Sequence, residues 1–196
     1  SLKTRFGNLG NILDFDTLTK ENIYVLNSPI LSNSQFNKFI NFFGKNSVSI
    51  DCTFSEEENL SVAIERIKKE AEIAARQGVT QIILSDKDLS SKKLPMPMLL
   101  CVGAINTFLI EKRLRGYVSI NVQSGEALDT HSFSTLIGVG ATTVNPYLAF
   151  DSLNQRYEKK LFGQYSFDEC VQRYIKSINA GLLKIMSKMG ISVLSS

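Results

Sequence analysis

Polar and apolar positions alternate along this chain in two different rhythms. Short runs rich in β-branched residues read as strands: Val48–Asp51, Gln81–Ser85, Tyr117–Gln123, Ala141–Val144 and Ile191–Leu194. Between them run longer segments whose apolar residues recur every three or four positions, the spacing of one helix face. Leu60, Ile64, Ile67, Ala71 and Ala74 form one such stripe. Met98, Val102, Ile105 and Leu109 form a second, opened by Pro97. Val171, Ile175, Ile178, Leu182, Met186 and Met189 form the longest. A shorter helix is predicted from about Ala127 to Ile137.

Punctuation supports these helices. Ser55 with Glu58, and Ser166 with Glu169, have the spacing of capping boxes. Gly78, Gly138 and Gly190 stand where helices should stop, and Gly116 follows soon after the second stripe. Lys184 and Lys188 sit off the apolar stripe near a helix C-terminus, where the dipole favours cations. Gly181 lies inside the last stripe, where glycine costs about 1 kcal/mol against alanine, and is a candidate break point.

The alternation predicts an α/β fold with parallel strands and right-handed crossovers. It leaves two architectures open, a whole or partial (β/α) barrel and an open doubly wound sheet. The expected organisation is one domain over residues 1–196. Residues 1–46 form an irregular lead-in with turns at Asn27-Ser28-Pro29 and Ser32-Asn33-Ser34, then a short helix from about Gln35 to Phe43. Residues 47–196 carry the alternating βα units. The chain opens with SLKTRFGNLGN and stops at ISVLSS, which suggests a piece excised from a longer polypeptide.

Composition narrows the chemistry. The 196 residues are 43% hydrophobic and 21% charged, enough for a substantial core. A net charge of +3 with dispersed lysines argues against a nucleic-acid partner. No apolar run approaches the ~20 residues of a membrane span, so no membrane is expected either. Cys52, Cys101 and Cys170 are odd in number and widely spaced, which writes neither a zinc nor an iron–sulfur site and suits a reducing compartment. His131 is the only histidine, and a structural role is expected for it.

In parallel α/β proteins the working face lies at the C-terminal ends of the strands. Asp86, Gln123, Ser124, Glu126 and Asn145 fall there. Asp86 and Glu126 could pair as acid and base, and with Asn145 would serve a stand-alone barrel enzyme or a ligand-sensing module. The competing reading is helix capping, with Asn145 before Pro146 as an N-cap and N1 pair and Ser124 as another cap. The glycines of GVGATTV, residues 138–144, follow a helix and open a strand, the wrong order for a phosphate loop. DKDLSSKK, residues 86–93, reads as a solvated βα connection or a lid. No nucleophile, base and oxyanion hole assemble from the residues alone, so no catalytic or metal-binding residue is assigned.

Several stretches, in order, resemble the central domain of the glutamate synthase large subunit. They are SLKTRFGNLGNIL (1–13), SPILSN (28–33), QIILSD (81–86), PMPMLLCVGA (95–104), SGEA (124–127), GVGATTVNPYLA (138–149) and GLLKIMSKMGIS (181–192). Three positions depart from that family's pattern. Ile105, Asn106, Thr107 and Phe108 replace a histidine cluster, His131 is followed by Ser132 rather than a second histidine, and Gln123 replaces a glutamate.

The resemblance implies a connecting domain shaped as a rudimentary version of an FMN-linked oxidoreductase barrel. Its partners would be a glutaminase domain and an FMN-binding synthase domain of the same polypeptide, in the cytoplasm or plastid stroma. The parent would make glutamate from glutamine and 2-oxoglutarate, using FMN and an iron–sulfur cluster. No cofactor is assigned to this chain, and Ser32 and Asn33 would line the ammonia tunnel between the partners.

Overall fold

The computed structural model describes residues 1–6, 24–88, 92–126 and 128–195. The SLKTRFGNLGNIL stretch beyond Phe6, the middle of DKDLSSKK and Ala127 lie outside the described residues.

Four strands form one parallel sheet: β3 (Ser47–Asp51), β5 (Gln81–Ser85), β7 (Ser119–Gln123) and β8 (Ala141–Asn145). Their spatial order is their chain order. A doubly wound sheet reverses direction at a switch point, and these four described strands contain none, so the barrel alternative holds. Right-handed crossovers then lay every connecting helix on one face. These helices are α2 (Leu60–Arg76), α3 (Met98–Glu111), α4 (Thr130–Gly138) and α6 (Phe167–Lys188). α2 packs on α3, α3 on α4, and α4 on α6, while α5 (Tyr147–Glu158) packs on α6.

Alternation along the strands divides the sheet into two surfaces. Ile50, Ile82, Leu84, Ile120, Val122 and Val144 face the helices and meet Ile67, Val102, Ile105, Phe133 and Ile178 in the main core. The opposite surface, the inside of a barrel, is mostly polar: Gln81, Ser85, Asn121, Thr143 and Asn145 are all buried there. Ile83 is the apolar exception. It is covered by a second cluster made from β1 (Thr4–Phe6), β2 (Tyr24–Leu26) and α1 (Asn33–Phe43), where Phe6, Phe36, Phe39 and Phe43 pack together.

Within residues 1–6 and 24–46 the lead-in carries more regular structure than its sequence suggests. β1 and β2 pair antiparallel, and α1 begins at Asn33 under a capping box in which the Ser32 hydroxyl and the Gln35 amide close on each other. A further two-stranded ribbon joins β4 (Thr53–Ser55) to β6 (Lys93–Pro95). It is held by the Arg66 guanidinium on the Asp51 and Thr53 carbonyls and by an Asp51–Lys93 ion pair at 2.8 Å.

Some sequence expectations need correction. Ile191–Leu194 is a turn instead of a strand, tied by the Leu194 amide to the Ser1 carbonyl. The edge of β8 that a further strand would use is already bonded to residues 29–31. Ser55 does not cap α2. Asn59 does, through its side chain on the Val62 amide, which frees Glu58 to pair with Arg66. Met189 ends 67% exposed, because α6 terminates one residue before it. Gly181 does not break α6, which runs unbroken for 22 residues. After α3 it is Arg113 that takes the left-handed position.

Candidate functional site

Residues 29–31 lie alongside β8, parallel to it. The Leu31 amide donates to the Val144 carbonyl at 2.9 Å, and the Val144 amide to Pro29 at 2.8 Å. This stub of a fifth strand ends where β8 ends. It delivers Ser32 and Asn33 to the C-terminal edge of the sheet, next to Asn145.

There the inner-face side chains of one register row bond across the strands. Ser85, Gln123 and Asn145 are partners in adjacent strands. The Ser85 hydroxyl donates to Gln123 Oε1 at 2.8 Å, and Gln123 Nε2 donates to Asn145 Oδ1 at 3.3 Å. Asn145 Nδ2 donates to the Leu31 carbonyl and to Asn33 Oδ1, both at 2.9 Å. Asn33 Nδ2 reaches Asp151 Oδ1 at 3.0 Å and the Tyr147 carbonyl at 3.4 Å. Below it, Thr143 Oγ1 donates to Oδ1 of its register partner Asn121, and Asn121 Nδ2 donates diagonally to Gln81 Oε1, past its own partner Ile83. Each buried amide is satisfied, which the low dielectric inside the sheet demands.

The loop after β7 holds the second feature. Asp86 is 1% exposed. Its carboxylate accepts from the Ser124 hydroxyl at 2.8 Å and from the Gly125 amide at 2.9 and 3.1 Å. Tyr147 closes over this loop; burial, with the Asp86 carboxylate beside it, pushes its phenol up to about 12. A Cβ at position 125 would sit 2.7 Å from the Tyr147 hydroxyl and 2.8 Å from a Leu148 methyl, so a larger residue would push those side chains aside.

The candidate residues thus fall into separate roles. Asp86 and Glu126 do not pair as acid and base. Asp86, at the end of β5, binds the neighbouring loop after β7, while Glu126 is exposed and accepts from the Met98 amide at 2.8 Å, capping α3 from a distance. Asn145 does not cap α5, since both ends of its amide are committed across the sheet. Ser124 joins Asp86 to the Glu126 amide and caps no helix. Ser32 and Asn33 come to the strand ends with Asn145. Ser85, Tyr147 and Asp151 were not singled out by sequence. The available signal was the polar residue at every second position of SINVQ and the polar residues that close QIILS and ATTVN.

The remaining reactive groups are quiet. His131 is exposed on α4. The Cys52 thiol is pushed well up by its contact with Cys101 and by burial, which makes a poor nucleophile. Among the described residues no group of His, Cys, Asp and Glu is arranged to hold a metal, and no helix is long and apolar enough to cross a membrane. Clefts of about 700 and 590 Å³ lie on the outer surfaces of α3 and of α5 and α6, away from the strand ends.

The arc of parallel strands, singly wound with helices outside, defines a mixed α/β fold of the (β/α) barrel type. A solved structure of a mutant flavocytochrome b2 with benzoylformate aligns with a TM-score of 0.56 over 83% of this chain and 36% of that one, at 13% identity. That likeness concerns the fold.

The particular family follows from closer relatives. Residues 1–196 match the glutamate synthase central domain, and the chain belongs to that family. It is 46% identical to the NADPH glutamate synthase large chain of Azospirillum brasilense, covering 100% of this chain and 13% of that protein. It is 44% identical to the corresponding chain of Bacillus subtilis, covering 87% of this chain and 11% of the relative. The ferredoxin-dependent chloroplastic enzyme of Spinacia oleracea is 33% identical, over 100% of this chain and 13% of its own length. The chain thus spans only a small part of the length of each.

Proposed function

We propose that this chain is a single connecting domain of a glutamate synthase large subunit. It acts as scaffold and as part of the wall of the ammonia passage between a glutaminase domain and an FMN-binding synthase domain. The whole polypeptide makes glutamate from glutamine and 2-oxoglutarate, in the cytoplasm or plastid stroma. FMN and the iron–sulfur cluster belong to the neighbouring synthase domain.

One observation carries the assignment of a non-catalytic role. In (β/α) barrels, loop amides at the strand ends recognise ligand phosphates. Here the Ser124 hydroxyl and the Gly125 amide are spent on Asp86, an anion supplied by the chain itself. A flavin phosphate entering this loop would meet a buried carboxylate and donors already taken. The site residues do not fit that cofactor, because like charges in a poorly hydrated interior repel by roughly several kcal/mol.

The passage role is assigned to Ser32 and Asn33. Both are uncharged, and both stand at the sheet edge on the stub beside β8. Neutral polar walls let ammonia pass without the counter-charge that would hold it as ammonium. Asn33→Leu in the full-length enzyme tests this. Glutamine hydrolysis should continue while glutamate formation from glutamine falls. Unchanged coupling between the two would leave these residues as a helix cap alone.

A further inference from the structure

Resting on that reading of Asn33, we propose that Asn145 is its positioning residue. Asn145 fixes which end of the Asn33 amide faces the passage and so couples ammonia release to its use. One group at this edge cannot turn. The Leu31 carbonyl is a backbone acceptor held in place because the Leu31 amide bonds β8. It requires a donor from Asn145, which places Nδ2 toward it at 2.9 Å. Gln123 Nε2 supports the same orientation by donating to Asn145 Oδ1. The second hydrogen of Asn145 Nδ2 then demands an acceptor, and Asn33 must turn Oδ1 toward it. Asn33 Nδ2 is left to face Asp151 and the Tyr147 carbonyl, both acceptors. A backbone carbonyl thus sets the direction of two side-chain amides in series.

The consequence concerns small polar molecules at the sheet edge. With this orientation Asn33 keeps Oδ1 on Asn145 and presents Nδ2 to Asp151 and the Tyr147 carbonyl, so its amide adds no outward acceptor to the Asp151 carboxylate that would hold ammonium in preference to ammonia. Reversing the amide would place Asn33 Oδ1 against Asp151, acceptor to acceptor, and force one of the two to seek a cation. Asn145 is fully buried and touches no solvent, so it acts through Asn33 alone.

The test uses Asn145→Asp in the full-length enzyme, which keeps the side chain's shape and removes both donated bonds. Two rates are compared: glutamate formation driven by glutamine and glutamate formation driven by added ammonium. The glutamine-driven rate should fall at least fivefold, with the ammonium-driven kcat and KM within twofold of the parent. Equal loss of both rates would mean a structural role and overturn the proposal, as would no loss of either. Asn145→Ser, which drops the contacts without adding charge, should give the same split if the aspartate variant does not accumulate. Asn33→Leu is measured alongside. If it uncouples and the Asn145 variants do not, the positioning role fails while the passage reading stands. If Asn33→Leu is itself silent, both fall.

Discussion

Gly181 of α6 lies directly against Thr130 at the first turn of α4, so close that an added Cβ would overlap the threonine methyl group. Helix propensity alone says that Gly181→Ala should stabilise by about 1 kcal/mol. Packing says the opposite, because the Thr130 side chain occupies the space a Cβ at 181 would take.

The clash should win. Gly181→Ala is expected to destabilise by about 1–3 kcal/mol, the range for overpacking a filled contact. In a Thr130→Ser background, which removes the methyl group, most of that cost should disappear. Denaturant unfolding of the four proteins in this cycle measures the coupling, and additive effects would mean that the two helices separate freely.

Asp86 makes a second case. Its three hydrogen bonds satisfy donors of Ser124 and Gly125, and Ser124 is fully buried. Asp86→Ala should cost about 2–4 kcal/mol, chiefly from donors left without partners in a dry site. Millimolar acetate or formate should recover part of the loss by re-occupying the vacated place, and a thermal shift with and without acetate reads this directly.

Tyr147 gives a pH signature. Its folded-state phenol titrates near 12, raised by burial and by the Asp86 charge, against an ordinary value near 10. A raised folded-state value contributes stability that is fully present below pH 10 and is lost as pH rises through 12. Lysines titrate over the same range, so the comparison is with Tyr147→Phe. The variant should lose stability less steeply between pH 10 and 12 than the parent, and identical slopes would contradict the assignment.

Arg115 staples the opposite end of the sheet. Its guanidinium bonds Asn106 Oδ1 at 2.6 Å, the Val118 carbonyl at 2.7 Å and the Gly140 carbonyl at 2.9 Å, and burial pulls its pKa down. Lysine cannot reproduce three bonds from one planar fork. Arg115→Lys is expected to lower the melting temperature by roughly 5–10 °C, equivalent to about 2–3 kcal/mol for a chain of this size.

Much of the frame is legible in the sequence because period and punctuation are local properties. β5 spans the expected residues, β3, β7 and β8 differ at one end only, and the stripes of α2 and α3 are the buried faces. What sequence misses depends on partners. ISVL has strand composition, yet the sheet edge it needs is bonded to residues 29–31. Ser55 and Glu58 have capping spacing, yet Arg66 claims Glu58. Gly181 looks like a break until Thr130 is seen against it. The strand-end ladder is hidden for a similar reason. Ser85, Gln123, Asn145 and Asn33 lie 38, 22 and 112 residues apart along the chain, and only the parallel register, with residues 29–31 beside β8, brings them together. The family resemblance survives these errors because it rests on residues in order, whatever their contacts.

The central claim is that this barrel-type domain shapes and connects while its strand-end anion site is filled from within. Titrating FMN into the purified chain, followed by flavin absorbance and fluorescence, tests it most directly. The account predicts no saturable binding at concentrations up to about 100 µM, where RT ln Kd would correspond to roughly −5.5 kcal/mol. A stoichiometric yellow complex would contradict it.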